Sequence, residues 1–182
     1  MDALTGPAER YGLALLEMAV EENTLTAVTG DLETARRVFA ETELTAFIGN
    51  PAVPAQAKLE LIDRLFQGKT SETFFVFLKV IINRRRERLL PGIVQAAYYQ
   101  CLARQGIEVV FVTTSHEMDE DLKRALRERL EAVLGKRLYL EYRMNKNLIG
   151  GIVIRHGDGL LDASILGMLR RIQEMLESKK IT

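Results

Sequence analysis

The stretch that decides the fold is NKNLIGGIVIRHGDGLLDASILGMLRRIQEML, residues 145–176. Ile152, Ile154 and His156 alternate with Val153 and Arg155. That period of two, with its β-branched content, predicts an extended strand. Gly157-Asp158-Gly159 comes next, residue types that accept positive φ and suit a tight hairpin turn. Leu160 and Leu161 then carry the chain back briefly. Ser164 is placed to cap a helix, because Ile165, Leu169, Ile172 and Leu176 recur after it on one helical face. Gly150 and Gly151 at the strand's entrance point to a close backbone approach or a bulge, since glycine otherwise weakens a strand. The local order is strand, hairpin, amphipathic helix.

Upstream, the β-rich character holds back to Gly106. Residues 107–114 (IEVVFVTT) read as a strand, and Met118-Asp119-Glu120-Asp121 sets carboxylates in the first turn of a helix, where its dipole favours them. That helix runs to about Leu134 and stops at Gly135. Residues 137–144 (RLYLEYRM) alternate as a strand, with Leu138, Leu140 and Tyr142 on one face. Residues 106–182 therefore read as an α/β domain in the order strand-helix-strand-strand-hairpin-helix.

Before Gly106 the period is helical throughout. Residues 8–25 place Tyr11, Leu15, Met18 and Glu22 on one side, with Ala14 small beside them. Residues 25–41 form a second helix with Leu32, Ala35, Val38 and Phe39 inward, and residues 43–48 a short helical turn stopped by Gly49-Asn50-Pro51. Pro54 marks the next start, and residues 55–66 carry Leu59, Ile62, Leu65 and Phe66. Ser71 is an N-cap for residues 72–83, whose Phe74, Phe75, Phe77, Leu78, Ile81 and Ile82 make that helix apolar over much of its circumference. Such a helix is central to a bundle or covered by a partner. A last helix starts near Pro91, a favoured first-turn residue, and runs to about Gln105, with Gly106 just beyond its end. Six helical segments on short connections describe an all-α bundle over residues 1–105. The fold class is α+β, a six-helix bundle followed by a smaller α/β domain.

Composition narrows the function. The 182 residues are 47% hydrophobic and 27% charged, enough to build a core. The formal net charge is +0, so no global field recruits nucleic acid or anionic lipid. The single cysteine, Cys101, excludes an internal disulfide and sits among apolar residues. The first residues lack the basic-then-apolar order of a signal peptide, and no apolar run nears the roughly 20 residues that span a bilayer. The expectation is a cytosolic protein, or one peripheral to a membrane through a partner.

Catalytic and metal chemistry finds little to work with. Gly68-Lys69-Thr70 ends like a phosphate-binding loop, but the glycine due five places earlier is Asp63, and a helix precedes it where a strand should. His116 and His156 are the only histidines, with no metal-ligand spacing around them, and both read as exposed polar residues. Asp119, Glu120 and Asp121 are explained by the helix dipole. Ser115 and His116, adjacent in sequence, do not make a triad. The basic run Asn83-Arg84-Arg85-Arg86-Glu87-Arg88 reads as a helix end or partner contact. Its alternative reading is a nucleic-acid-associated helical regulator. What remains is surplus apolar helix surface, notably on the first and fifth helices, the profile of a protein that binds helices. These residues imply no enzyme and no cofactor.

The same residues carry a resemblance. Ile149-Gly150-Gly151, the alternating strand, Gly157-Asp158-Gly159, then Asp162-Ala163-Ser164 opening a Leu-rich final helix resemble the C-terminal signature of the δ subunits of bacterial F-type ATP synthases. The mitochondrial relative is the oligomycin-sensitivity-conferring protein. Arg10-Tyr11 with Ala14-Leu15, the Gly49-Asn50-Pro51 break followed by Lys58, residues 83–90 and Val112-Thr113 are similar to that pattern in the same order. The resemblance implies a non-catalytic stator subunit that links the catalytic head to the peripheral stalk, so that the head does not turn with the rotor. It implies an α subunit's N-terminal helix in a groove between the first and fifth helices, and the C-terminal ends of b subunits on the C-terminal domain. Carried over by helix position, the groove residues are Tyr11, Ala14, Leu15, Val76, Leu78, Lys79 and Asn83. The implied place is the cytoplasmic face of the cell's inner membrane.

Overall fold

The computed structural model describes residues 6–165 and 167–169. The chain divides into two compact units, Met1–Arg104 and Gln105–Thr182.

The first unit is helical: α1 (Pro7–Glu21), α2 (Leu25–Val38), α3 (Thr42–Gly49), α4 (Ala55–Phe66), α5 (Glu72–Asn83) and α6 (Leu90–Arg104). Pro7 opens α1, where a missing N–H costs nothing. That helix stops four residues short of the expected Leu25. Asn23 takes a left-handed φ of 55°, and the Thr24 N–H closes back on the Ala19 carbonyl at 2.8 Å, so Leu25 opens α2 instead. The 3-10 turn Glu87–Leu89 that leads into α6 was not legible in the sequence. Ser71 caps α5 as expected, its Oγ accepting from Phe74 N. Asp31 of α2 holds Ser71 in turn, Oδ2 accepting from its N and Oγ at 2.8 and 2.6 Å. The α5 helix buries Thr73, Phe74, Phe75, Phe77, Leu78, Ile81 and Ile82. The rings of Phe39, Phe66 and Phe74 pack in series at 5.9 and 6.0 Å. Beside α1 runs α6, buried through Ile93, Val94, Ala97, Cys101 and Leu102.

The second unit is a four-stranded mixed sheet in the order β2-β1-β3-β4, with β1 Ile107–Thr114, β2 Arg137–Met144, β3 Gly151–His156 and β4 Gly159–Ser164. β1 and β2 are parallel, joined through α7 (Glu120–Leu134), and the remaining pairs are antiparallel. Asp119 caps α7 through Oδ1, which accepts from Leu122 N at 2.7 Å, and Gly135 ends it at φ 66°. Val110, Val112, Leu138 and Ile154 form the core, with Leu126, Leu130, Leu134 and Met118 packed on it.

The hairpin departs from expectation in one respect. The return strand is six residues long rather than a brief reversal, and Asp162, Ala163 and Ser164 belong to it. Every residue of β3 finds a partner, from His156 opposite Gly159 to Gly151 opposite Ser164, and that pairing outweighs the helical reading of Asp162-Ala163-Ser164. Ser164 nevertheless keeps its capping role: its Oγ accepts from Gly167 N at 2.9 Å while donating to Asp162 Oδ1 at 2.6 Å. Ile172 and Leu176 lie outside the described residues.

Candidate partner-binding surfaces

Hydroxyls and one carboxylate join the end of α1 to the start of α5. Thr73 Oγ1 donates to Glu22 Oε2 and lies 3.3 Å from Thr24 Oγ1. These contacts orient both helices. At about 100° per residue, Tyr11, Leu15 and Met18 share the side of α1 that carries Glu22, with Ala14 at its outer margin. On α5, Phe77 and Val80 succeed Thr73 on the α1 side, with Val76 at the rim.

The seven residues proposed for the groove fall into three groups. Leu15 and Leu78 are 0% exposed, out of reach of any partner: Leu15 supports the groove from below beside the buried Phe77 of α5, whereas Leu78, about 140° around α5 from Thr73, points into the bundle core. Ala14, Val76 and Asn83 are exposed and Tyr11 is half-buried, so these four can make contact. Lys79 turns the other way: its ammonium pairs with Asp63 of α4 at 3.0 Å and lies 4.6 Å from the centre of the Phe75 ring. Two further residues belong to the surface, Val80, 42% exposed beside Val76 at 40%, and the half-buried Met18. The spacing Val76, Val80, Asn83 is the signal that would have found Val80. Leu13 and Val20, also exposed, sit on the opposite side of α1 from Glu22.

The basic run at the end of α5 is folded into the structure. Arg85 takes a left-handed φ of 54°, Arg88 Nε donates to the Gly49 carbonyl at 3.0 Å, and Glu87 Oε1 accepts from Lys58 Nζ at 2.5 Å. Burial pushes the Glu87 carboxyl up, but the Lys58 hydrogen bond and charge, a backbone N–H and Arg85 outweigh it and hold it below its ordinary value. Two of the run's side chains thus tie α3, α4 and the 3-10 turn together. The nucleic-acid reading draws no support from this arrangement.

In the second unit a cleft of about 590 Å³ opens between α7 and the sheet, lined by Met118, Leu122, Ala125, Leu126, Arg129 and Ile152 among others. Leu122 is 53% exposed there. His156, expected to be an exposed polar residue, is half-buried and bonds Glu108 through Nε2. Hydrogen bonds from Lys136 and then His156 lower the Glu108 pKa. Ser115 Oγ and His116 Nδ1 meet at 2.9 Å on an exposed turn, and among the described residues no carboxylate orients that imidazole. Burial raises the Cys101 thiol to about 11, against a weaker lowering by Thr29, so it is held as a neutral packing residue. Among the described residues no helix is long and apolar enough to cross a membrane.

This arrangement recurs in known proteins. The family described as ATP synthase delta (OSCP) subunit matches residues 8–176. The ATP synthase subunit delta of Heliobacterium modesticaldum is 34% identical over 175 residues, covering 95% of each chain. That of Symbiobacterium thermophilum is 34% identical over 174 residues, covering 94% of this chain and 92% of the relative. A chain in the cryo-EM structure of the Toxoplasma gondii mitochondrial ATP synthase hexamer superposes with a TM-score of 0.74 at 23% identity, covering 94% of this chain and 98% of that one, which shows a shared fold.

Proposed function

The chain belongs to the ATP synthase delta (OSCP) subunit family and is a stator subunit of that membrane-bound complex, and from that premise we propose how its two units divide the task of linking the catalytic head to the peripheral stalk. The helical unit receives the amphipathic N-terminal helix of an α subunit between α1 and α5. The sheet-bearing unit receives the C-terminal ends of the b subunits, on the cytoplasmic face of the membrane. The protein carries no chemistry of its own; it transmits force while the head makes ATP from the proton gradient.

The observation that carries this reading is the apolar rim Val76–Val80 on α5 facing Tyr11, Ala14 and Met18 on α1. Helix-in-groove recognition needs such an apolar strip over a rigid floor, and Leu15 and Phe77 supply the floor. Holding against torque requires slow dissociation, which packed apolar contacts give better than exposed ion pairs. The test is fluorescence anisotropy of the full chain with a labelled peptide matching the α subunit's N-terminal helix. Saturable binding that persists when salt is raised several-fold supports the groove. Binding that collapses with salt sinks it and moves attention to Arg84 and Arg86.

A further inference from the structure

We propose that the outer edge of β2 takes an extended, carboxylate-bearing segment of another synthase subunit, which joins the sheet as a fifth strand; this rests on the stator reading. β2 is an outside strand, paired with β1 only. In a parallel pair, alternate residues bond the neighbour and the others direct N–H and C=O outward. Two bonds fix which are which. Asn145 N donates to Thr114 O at 2.9 Å, so the odd-numbered residues face β1. Leu138 N donates outward, to Glu131 Oε1 of α7 at 2.8 Å.

Glu131 therefore blunts the edge at its first outward amide and leaves the next two. Leu140 and Tyr142 have the same parity, and neither amide has an acceptor among the described residues. A cleft of about 250 Å³ lies along this edge, lined by Leu138, Tyr139, Leu140 and Tyr142 from β2 and by Glu120, Lys123, Arg124 and Arg127 from α7. Side chains of consecutive strand residues point to opposite faces, so a cleft touching residues 138, 139 and 140 runs along the backbone. Unmade main-chain bonds beside a side-chain pocket are the requirements for strand addition.

Charge selects the occupant. Lys123 pairs with Glu120 at 2.7 Å and Arg124 with Asp121 at 2.8 Å. Arg127 has no ion-pair partner among the described residues, so the cleft is left positive and a carboxylate on the incoming strand answers it. A second copy pairing through its own β2 would instead set two such cationic clefts side by side, which like-charge repulsion disfavours.

Amide hydrogen exchange on the chain alone and within the intact ATP synthase tests this. The Leu138 amide should be slow in both. The Leu140 and Tyr142 amides should be fast in the isolated chain and at least about tenfold slower in the complex, and Arg127→Glu should reduce that protection. Assembly with both amides still fast overturns the inference while leaving the stator reading intact. Protection that grows with the concentration of the isolated chain overturns it in favour of self-association. A chain that never enters the synthase sinks the stator reading and this inference with it.

Discussion

Lys58 Nζ stands 2.5 Å from Glu87 Oε1, with the two side chains 2% and 14% exposed. One ion pair thus joins the start of α4 to the 3-10 turn before α6, 29 residues on. It brings together two sequence features that looked separate, the Lys58 after Gly49-Asn50-Pro51 and the basic run after α5. Arg88, bonded to the Gly49 carbonyl, closes the same corner.

Removing one member leaves the other charge in a nearly closed site. Lys58→Met should therefore destabilise the helical unit by about 3–5 kcal/mol, while Lys58→Met with Glu87→Leu should recover most of the loss. Urea unfolding of the two variants measures it. A single variant within about 0.5 kcal/mol of the parent would show that the pair contributes nothing.

The same pair sets a pH dependence. The folded-state pKa of Glu87 lies below its ordinary 4.5, so its charged form contributes stability that is whole above that value and lost as pH falls through the folded value. The parent should therefore lead Glu87→Gln most at neutral pH, with the lead shrinking in acid. Urea midpoints at pH 7 and pH 4 decide it; a gap that widens in acid reverses the sign and refutes the assignment. Glu108 shifts in the same direction, which adds to acid lability in the sheet-bearing unit.

Gly151 is the one glycine whose replacement meets backbone directly at positive φ. Its φ is 87°, and a Cβ there would run into the Ala163 carbonyl oxygen across the hairpin. Gly151→Ala should cost about 1–3 kcal/mol in strain and lost pairing. The loss should show as faster hydrogen exchange in β3 and β4, with α5 and α6 amides unchanged. Equal loss in both units would mean that they unfold together.

The sequence announced elements whose period and punctuation agree: α4, α5, β1 and β2 fall on the residues that Pro54, Ser71, Gly106 and Gly135 mark out, and α7 begins within the run Met118-Asp119-Glu120-Asp121. It misjudged places where pairing overrides local preference. Asp162-Ala163-Ser164 carries a helix-start pattern, yet strand partners opposite Gly151, Ile152 and Val153 hold it extended. The candidate groove was legible only in part, because an apolar residue at helical spacing does not say whether it faces a neighbouring helix or open solvent. Leu78 and Val76 are both apolar and two positions apart, and only the packing of α5 puts one in the core and the other at the rim. His156 could not be placed either, since its partner Glu108 lies 48 residues away.

That division between Val76 and Leu78 gives the sharpest test of the groove. Leu78 is 0% exposed, so Leu78→Ala removes core contacts and should cost about 2–5 kcal/mol of stability, with partner affinity falling only as α5 itself shifts. Val76 is 40% exposed, so Val76→Asp should leave stability within about 0.5 kcal/mol. On binding, however, the new carboxylate must be desolvated against an apolar helix face, and the rim contact is lost. Both act on the complex, so affinity for the α-subunit peptide should fall by about 2 kcal/mol or more, some thirtyfold, mainly through faster dissociation. Val80→Asp should behave likewise, and Leu13→Asp, on the far side of α1, should leave binding unchanged. Thermal unfolding paired with anisotropy on the four variants separates the outcomes. If Leu13→Asp weakens binding and Val76→Asp does not, the helix docks on the other side of α1 and the α1–α5 groove is the wrong surface.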